Sequence, residues 1–549
     1  MRKEFSMSNN TEAKNVNTKR MTWYTLAFMA FSTVWGFGNV VNGFGYFNGT
    51  QVIFSWILMF VLYFVPYALM VGELGSAFKN LGGGVTSWVL ETTNPKLAYY
   101  AGYTYWVVHI PYIASKGSGG LKALAWMCLK NSWYDALPTW QVQLATAVVF
   151  LLFCWIATRG LSVLKPLASL AGTTMFAMSL LYILMMFAAP AINPAASFSN
   201  IDWSWENIIP QFNVQYFTSL SILVFAVGGC EKISPYVNKV ENPAKNFPKG
   251  MIALAIMVMV CAILGTIAMA LVFSPVTMTV AADGTIAGAE VTAGSSFQVF
   301  ALGQNAQTIK DAVAAAGSAG VDPAVIDGWV TAQTGQDFAM AMTSTGFIAN
   351  GQYEAMRELG GLYHVGNLFV ILYGACNAIG QFSTLTLSID APLRMLLDDE
   401  NARQYVPKAL LKQNRFGAYT NGILLIVVLS GAIIAIQLMG SGASDVIAWL
   451  TRLNSVCMPM RYLWVFFAYI MLRRQSAKFP REYEFVKNNG VALFFGFWCF
   501  FVTAACCLMG TIDLSDMGRT VLNIAAPIVY LLLGMIMPMI RKREDEKGA

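Results

Sequence analysis

Apolar runs of roughly 20 residues, each long enough to cross about 30 Å of hydrocarbon, recur from Trp23 almost to the C-terminus. Lipid offers the backbone no hydrogen-bonding partner, so runs this long and continuous are helices. About twelve are predicted, over residues 22–47, 51–77, 98–128, 139–158, 163–189, 209–234, 249–274, 362–392, 417–439, 443–472, 489–511 and 518–540. Charged residues are 12% of the chain and apolar ones 56%, about half the charge of a soluble domain. The expected fold class is an all-α integral membrane protein in a lipid bilayer.

Charge distribution orients it. Residues 1–20 are polar, carry five Lys and Arg, and lack the apolar core of a signal peptide, so they read as a tail. Lys79, Lys96, Arg159, Lys165, Lys239, Lys245, Arg403, Lys412, Arg473 and Arg481 fall in or beside the connections that follow even-numbered spans, and residues 541–549 add more. The positive-inside rule then predicts an even span count with both termini cytoplasmic. The net charge of +6 is a topological signal; no basic stripe interleaves with aromatics, and no nucleic-acid partner is expected. Nine cysteines are scattered through the spans, and His109 and His364 are the two histidines. With no pair at metal-ligand spacing, neither a metal nor a cofactor is expected.

Two spans carry helix breakers in their interior. Span six runs Leu223-Val224-Phe225-Ala226-Val227-Gly228-Gly229-Cys230-Glu231-Lys232-Ile233-Ser234-Pro235. Paired glycines and a proline interrupt the backbone ladder, which lipid tolerates only where protein or water satisfies the freed groups. An acid at that depth points to function. Span one carries Trp35-Gly36-Phe37-Gly38-Asn39, which alone reads equally as close helix packing through small residues. The two breaks lie five spans apart, as matching elements of two five-span halves would. Such pairs mark a binding site at the membrane midplane.

Other candidates are less specific. Glu73, near the end of span two, caps that helix or pairs with a basic loop residue, and Gly82-Gly83-Gly84 permits a sharp turn. Span three holds His109, Tyr112, Lys116 and Lys122. Lys122 reads as a snorkelling interfacial lysine. Lys116 sits in a strip of serines and glycines suited to a wet path. His109 is either a satisfied interior histidine or a proton carrier. Asn377, Gln381, Ser383 and Thr384 in span eight need partners inside the bundle. So do Arg452, Asn454 and Arg461 in span ten.

The chain divides into the tail 1–20, spans one to six in 21–240, span seven in 241–274, an insertion at 275–361, spans eight to ten in 362–475, spans eleven and twelve in 476–540, and the tail 541–549. The insertion is acidic and rich in Ala, Gly and Thr, with helical composition at Gln307–Ala316 and Val321–Thr331. It is expected outside the cell, either as a partly ordered cap over the vestibule or as a solvated decoration.

The broken first span, the Gly72-Glu73-Leu74 end of span two, the turn Gly84-Val85-Thr86-Ser87-Trp88-Val89 and span six together resemble the amino acid–polyamine–organocation superfamily of permeases. Val227-Gly228-Gly229-Cys230-Glu231 and Glu241-Asn242-Pro243-Ala244-Lys245-Asn246-Phe247-Pro248 are most similar to its bacterial glutamate:GABA antiporter branch, including permeases of the YjeM type. The resemblance implies a LeuT-type fold, two inverted five-span repeats plus two terminal spans, in a bacterial cell membrane. It places a substrate carboxylate at Gly36, Phe37 and Gly38, the ammonium at carbonyls of Ala226, Val227 and Gly228, and a gate at Phe225. Tyr112 and Asn377 join these as substrate-binding candidates. Glu231 takes a coupling role, with Lys116, His109 and Ser169 beside it. Ser169 falls where several members carry a lysine in place of a sodium ion, which leaves proton and sodium coupling both open. Lys232 either holds Glu231 ionised or faces away, since neighbours on a helix do not meet. Members occur as monomers or homodimers.

The expected function is secondary active transport of amino acids or derived amines by alternating access, as an exchanger or an ion-coupled symporter. No Walker-type loop supports ATP-driven pumping. No catalytic constellation emerges, so the chain is not expected to be an enzyme. The alternative is a non-transporting amino acid sensor that uses the 275–361 loop.

Overall fold

The structure, a computed structural model, describes residues 20–47, 50–194, 196–201, 203–210, 212, 214–272, 344–400, 402–438, 457–511 and 517–548. The expected helices at Gln307–Ala316 and Val321–Thr331, together with Arg452 and Asn454, lie outside these residues. The described chain is helical, with a single isolated bridge between Met21 and Val240.

In chain order the helices that matter are α1 (Trp23–Val34), α2 (Gly38–Tyr46), α3 (Gln51–Ala77), α4 (Val85–Thr92), α5 (Pro95–Val107), α6 (His109–Leu129), α7 (Thr139–Ala157), α8 (Leu161–Ala188), α9 (Val214–Ala226), α10 (Pro243–Ala270), α11 (Ser344–Leu362), α12 (Leu368–Leu397), α13 (Thr420–Leu438), α14 (Tyr462–Arg474), α15 (Asn489–Thr511), α16 (Met517–Leu533) and α17 (Ile536–Gly548). Among the described residues eight helical segments are long and apolar enough to cross a membrane, the last of them running through the turn between α16 and α17. The other predicted spans are those interrupted by a break, α1–α2, α5–α6 and α9, and the one whose start precedes the described α14.

Local chemistry explains several boundaries. Asn94 caps α5 by accepting from the Leu97 amide at 3.0 Å, and Pro95 occupies the first helical position, where its missing N–H costs nothing. Inside α3 a π-turn spans Phe60–Phe64. Pro66 has no N–H for the Leu62 carbonyl, and the Trp498 indole of α15 donates to that carbonyl at 2.9 Å instead. Trp498→Phe should therefore lower stability by about 1 kcal/mol, read as a drop in thermal unfolding temperature in detergent. No change would mean that lipid-side relaxation re-satisfies the carbonyl.

The core centres on α1, α8, α10 and α12. Gly172 on α8 lies against the Phe28 carbonyl of α1, where any Cβ would overlap backbone. Gly72 and Gly75 of α3 likewise receive Pro248 and Phe247 of α10. The outward faces are apolar instead. On α7, Leu144, Val148, Leu151, Leu152 and Trp155 are exposed at helical spacing, which is the surface that lipid covers. One face of the bundle gathers the ends of several spans: Met21 beside Lys239, Ser87 bonded to Asp399, and Arg541 of α17 bonded to the Val406 carbonyl.

Of the 275–361 insertion, α11 is the described part. It packs on α2 and α12, is tied to α6 through Trp126 and Asn350 at 3.1 Å, and places Gln352 beside Gly38.

Candidate functional site

Both predicted breaks are present and they touch. α1 ends at Val34, Trp35 is extended, and α2 starts at Gly38. A helix start presents N–H groups without intrahelical partners. α9 ends at Ala226, and after Gly228 and Gly229 the chain resumes as a 3-10 helix over Cys230–Lys239. Gly229 has φ +114°, a region open to glycine. At Gly228 the constraint is space: a Cβ there would sit 2.5 Å from Cζ of Tyr462. Asn39 bridges the breaks by donating to the Ala226 carbonyl at 3.0 Å.

Between the breaks lies a cavity of about 450 Å³. Gly36, Gly38 and Asn39 form one wall, and Ala226, Gly228 and Lys232 another. Tyr112 and Lys116 of α6 and Asn377, Gln381 and Thr384 of α12 contribute, as do Met175, Gln352, Arg461 and Tyr462 and the end of α1 from Ser32 to Trp35. Lys116, Lys232 and Arg461 are cationic, and among the described residues no Asp or Glu lines the cavity.

Behind the wall is a buried charge cluster. Glu231 is fully buried and accepts from the hydroxyls of Tyr67 and Tyr105. Arg461 Nε stands 3.7 Å from Glu231 Oε1, an ion pair too long for a hydrogen bond. Its guanidinium lies over the rings of Tyr105 and Tyr462 and donates to the Tyr462 hydroxyl at 3.1 Å. His109 contacts the Tyr105 carbonyl through Nδ1 at 2.6 Å and Arg461 Nη1 through Nε2 at 2.6 Å. A carbonyl requires a donor and a guanidinium an acceptor, which assigns the neutral ring with its proton on Nδ1. Lys232 turns the other way and donates to Ser388 Oγ at 2.6 Å.

Gly36, Gly38, Ala226, Gly228, Tyr112, Lys116 and Asn377 line the cavity. Phe37 and Val227 are buried behind it; Phe37 packs on Tyr182 with centroids 4.7 Å apart. Phe225 falls within α9, but its side chain is outside the description. Glu231 and His109 contact Arg461 from behind the wall and do not line the cavity. Ser169 is not among the lining residues; α8 reaches the cavity through Met175, six positions further along. The tight Gly172–Phe28 approach fixes this register. Asn377 donates to Tyr353 of α11 at 2.8 Å. Reasoning from sequence missed Tyr67, Tyr105, Tyr462 and Gln352. Interior tyrosines carry no pattern that separates them from packing, and Gln352 lies in a segment read as a loop. Arg461 had a usable signal, a cation at membrane depth.

The amino acid permease family model matches residues 21–327 and 338–536. The chain belongs to the amino acid permease family. It is 42% identical over 544 residues, 97% of this chain and 98% of the relative, to the aspartate/glutamate permease AcaP of Lactococcus lactis subsp. cremoris (strain MG1363). It is 26% identical over 44% of its length, and 49% of the relative's, to the inner membrane transporter YjeM of Escherichia coli (strain K12). A probable agmatine/putrescine antiporter, AguD of Lactococcus lactis subsp. lactis (strain IL1403), is 24% identical over 37% of this chain and 42% of its own. Among solved structures, a mutant manganese transporter of Eremococcus coleocola aligns with a TM-score of 0.50 at 11% identity, covering 95% of this chain and 94% of that one. That likeness concerns the fold, which is of LeuT type. This permease is a multi-pass membrane transporter of amino acids and not an enzyme, and none of the relatives named here is a sensor.

Proposed function

We propose that this permease carries acidic amino acids of the aspartate and glutamate class. The cavity itself carries the reading: Lys116, Lys232 and Arg461 line it, and among the described residues no carboxylate does. In a partly desolvated site a surplus of fixed positive charge attracts anions and rejects cations. The AcaP relationship, 42% over nearly the whole chain, points the same way. An amine cargo of the kind named for AguD would meet three cations and no acceptor carboxylate. We place the face bearing Met21 and α17 in the cytoplasm, on the strength of its lysines and arginines.

For the coupling ion, two arrangements are available. Glu231 reaches the cavity through Arg461 and suits proton coupling. Ser383 Oγ is buried without a partner among the described residues, next to Thr384, which donates to the Ser32 carbonyl at 2.9 Å; this oxygen-rich corner suits a sodium ion. Uptake into proteoliposomes under imposed proton or sodium gradients decides between them. Labelled glutamate should accumulate and be competed by aspartate but not by putrescine. Uptake only into amino-acid-loaded vesicles would make the protein an exchanger. Uptake of putrescine in preference to glutamate would overturn the acidic reading.

A further inference from the structure

We propose that Lys116 and Lys232, arranged around the ring of Tyr112, read the side-chain carboxylate of the acidic cargo and set the preference for it over neutral amino acids. This assignment rests on the acidic reading above. The three cations of the cavity are not equivalent. Arg461 faces Glu231 at 3.7 Å and donates to His109 and Tyr462, so its charge is answered within the wall. Lys232 is 3% exposed, and its recorded hydrogen-bond partner is the neutral hydroxyl of Ser388. Ser388 donates its own proton to the Thr384 carbonyl at 2.6 Å, which turns its oxygen toward Lys232 as an acceptor. Among the described residues neither Lys232 nor Lys116 makes an ion pair.

A buried ammonium without a counter-ion is costly, and a fixed hydroxyl answers only part of that cost. The geometry leaves the rest to a ligand. Lys116 Nζ lies 5.3 Å and Lys232 Nζ 5.5 Å from the centroid of the Tyr112 ring, within cation–π range. Tyr112 and Lys116 share one face of α6 by their spacing of four, and Lys232 follows the Gly228–Gly229 break. All three line the same cavity. A neutral zwitterion needs one anion site, and the start of α2 at Gly36 and Gly38 provides it. An acidic amino acid needs a second, and the lysine pair supplies two ammonium groups around one rigid platform.

The test uses the full-length protein in proteoliposomes, with glutamate uptake competed by glutamate or by glutamine. In Lys232→Met and Lys116→Met, glutamate affinity should fall about 10- to 100-fold, the usual value of a charge-assisted contact, while glutamine affinity is retained. Lys232→Arg should keep the preference for glutamate. If wild type takes glutamate and both Met variants still prefer it to glutamine by the wild-type ratio, the lysine assignment is overturned and the acidic reading stands. If wild type itself does not bind glutamate, the acidic reading falls first. Should Lys232→Met fail to fold, the half-buried Lys116 decides alone: an unchanged ratio in Lys116→Met overturns the pair.

Discussion

Gly228→Leu abolishes substrate binding, and Gly228→Ala weakens it by about 10- to 100-fold, the range expected for overpacking a rigid contact. The expectation is steric. Gly228 lines the cavity at the end of the α9 break, and a single methyl there would sit 2.5 Å from Cζ of Tyr462. Tyr462 has little room to yield. It is 3% exposed, its hydroxyl accepts from Arg461, and its ring lies 5.7 Å from that of Tyr67. A larger side chain also blocks the approach of a substrate ammonium to the broken backbone. Binding is read by thermal stabilisation of purified protein with glutamate. Combining Gly228→Ala with Tyr462→Ala restores space and should recover part of the affinity. Full affinity in Gly228→Leu would place the substrate elsewhere.

That glycine illustrates what the sequence disclosed and what it withheld. Gly36, Gly38, Gly228 and Gly229 stood out because breakers inside apolar runs conflict with lipid, and lipid leaves few ways to resolve the conflict. Length and apolarity likewise announced the eight long apolar segments. What could not be read was which side chains meet across the bundle. Tyr67 and Arg461 are far apart in the chain and converge on Glu231 through helix packing. The register of α8 was hidden for a related reason, since only the contact at Gly172 fixes it and brings Met175, six positions beyond Ser169, to the cavity. Lys232 was expected either to hold Glu231 ionised or to face away. The 3-10 geometry after Gly229 sends it to Ser388, while Arg461 takes the place beside Glu231. α11 was hidden because its residues sit in an insertion whose composition resembles a solvated loop.

Arg461→Met should be the most destabilising single change at the site, by about 3–5 kcal/mol, because it strands a buried carboxylate. Glu231 would keep the Tyr67 and Tyr105 hydroxyls, but two neutral donors do not replace a cation in a water-poor interior. Glu231→Gln is milder: it removes the anion while Arg461 keeps His109 and Tyr462, and an amide still accepts from a tyrosine. The double variant Arg461→Met, Glu231→Gln contains no unpaired charge, and its stability should exceed that of Arg461→Met alone by about 2 kcal/mol, read by unfolding in detergent. Additive losses would mean that the two groups do not sense one another at 3.7 Å. Transport separates structure from coupling. If Glu231 exchanges a proton during the cycle, Glu231→Gln should bind glutamate as tightly as wild type yet lose the dependence of its uptake on external pH. A retained pH profile would leave Glu231 as the counter-ion that holds Arg461 in the cavity wall, and would shift the coupling role to the Ser383–Thr384 corner and sodium.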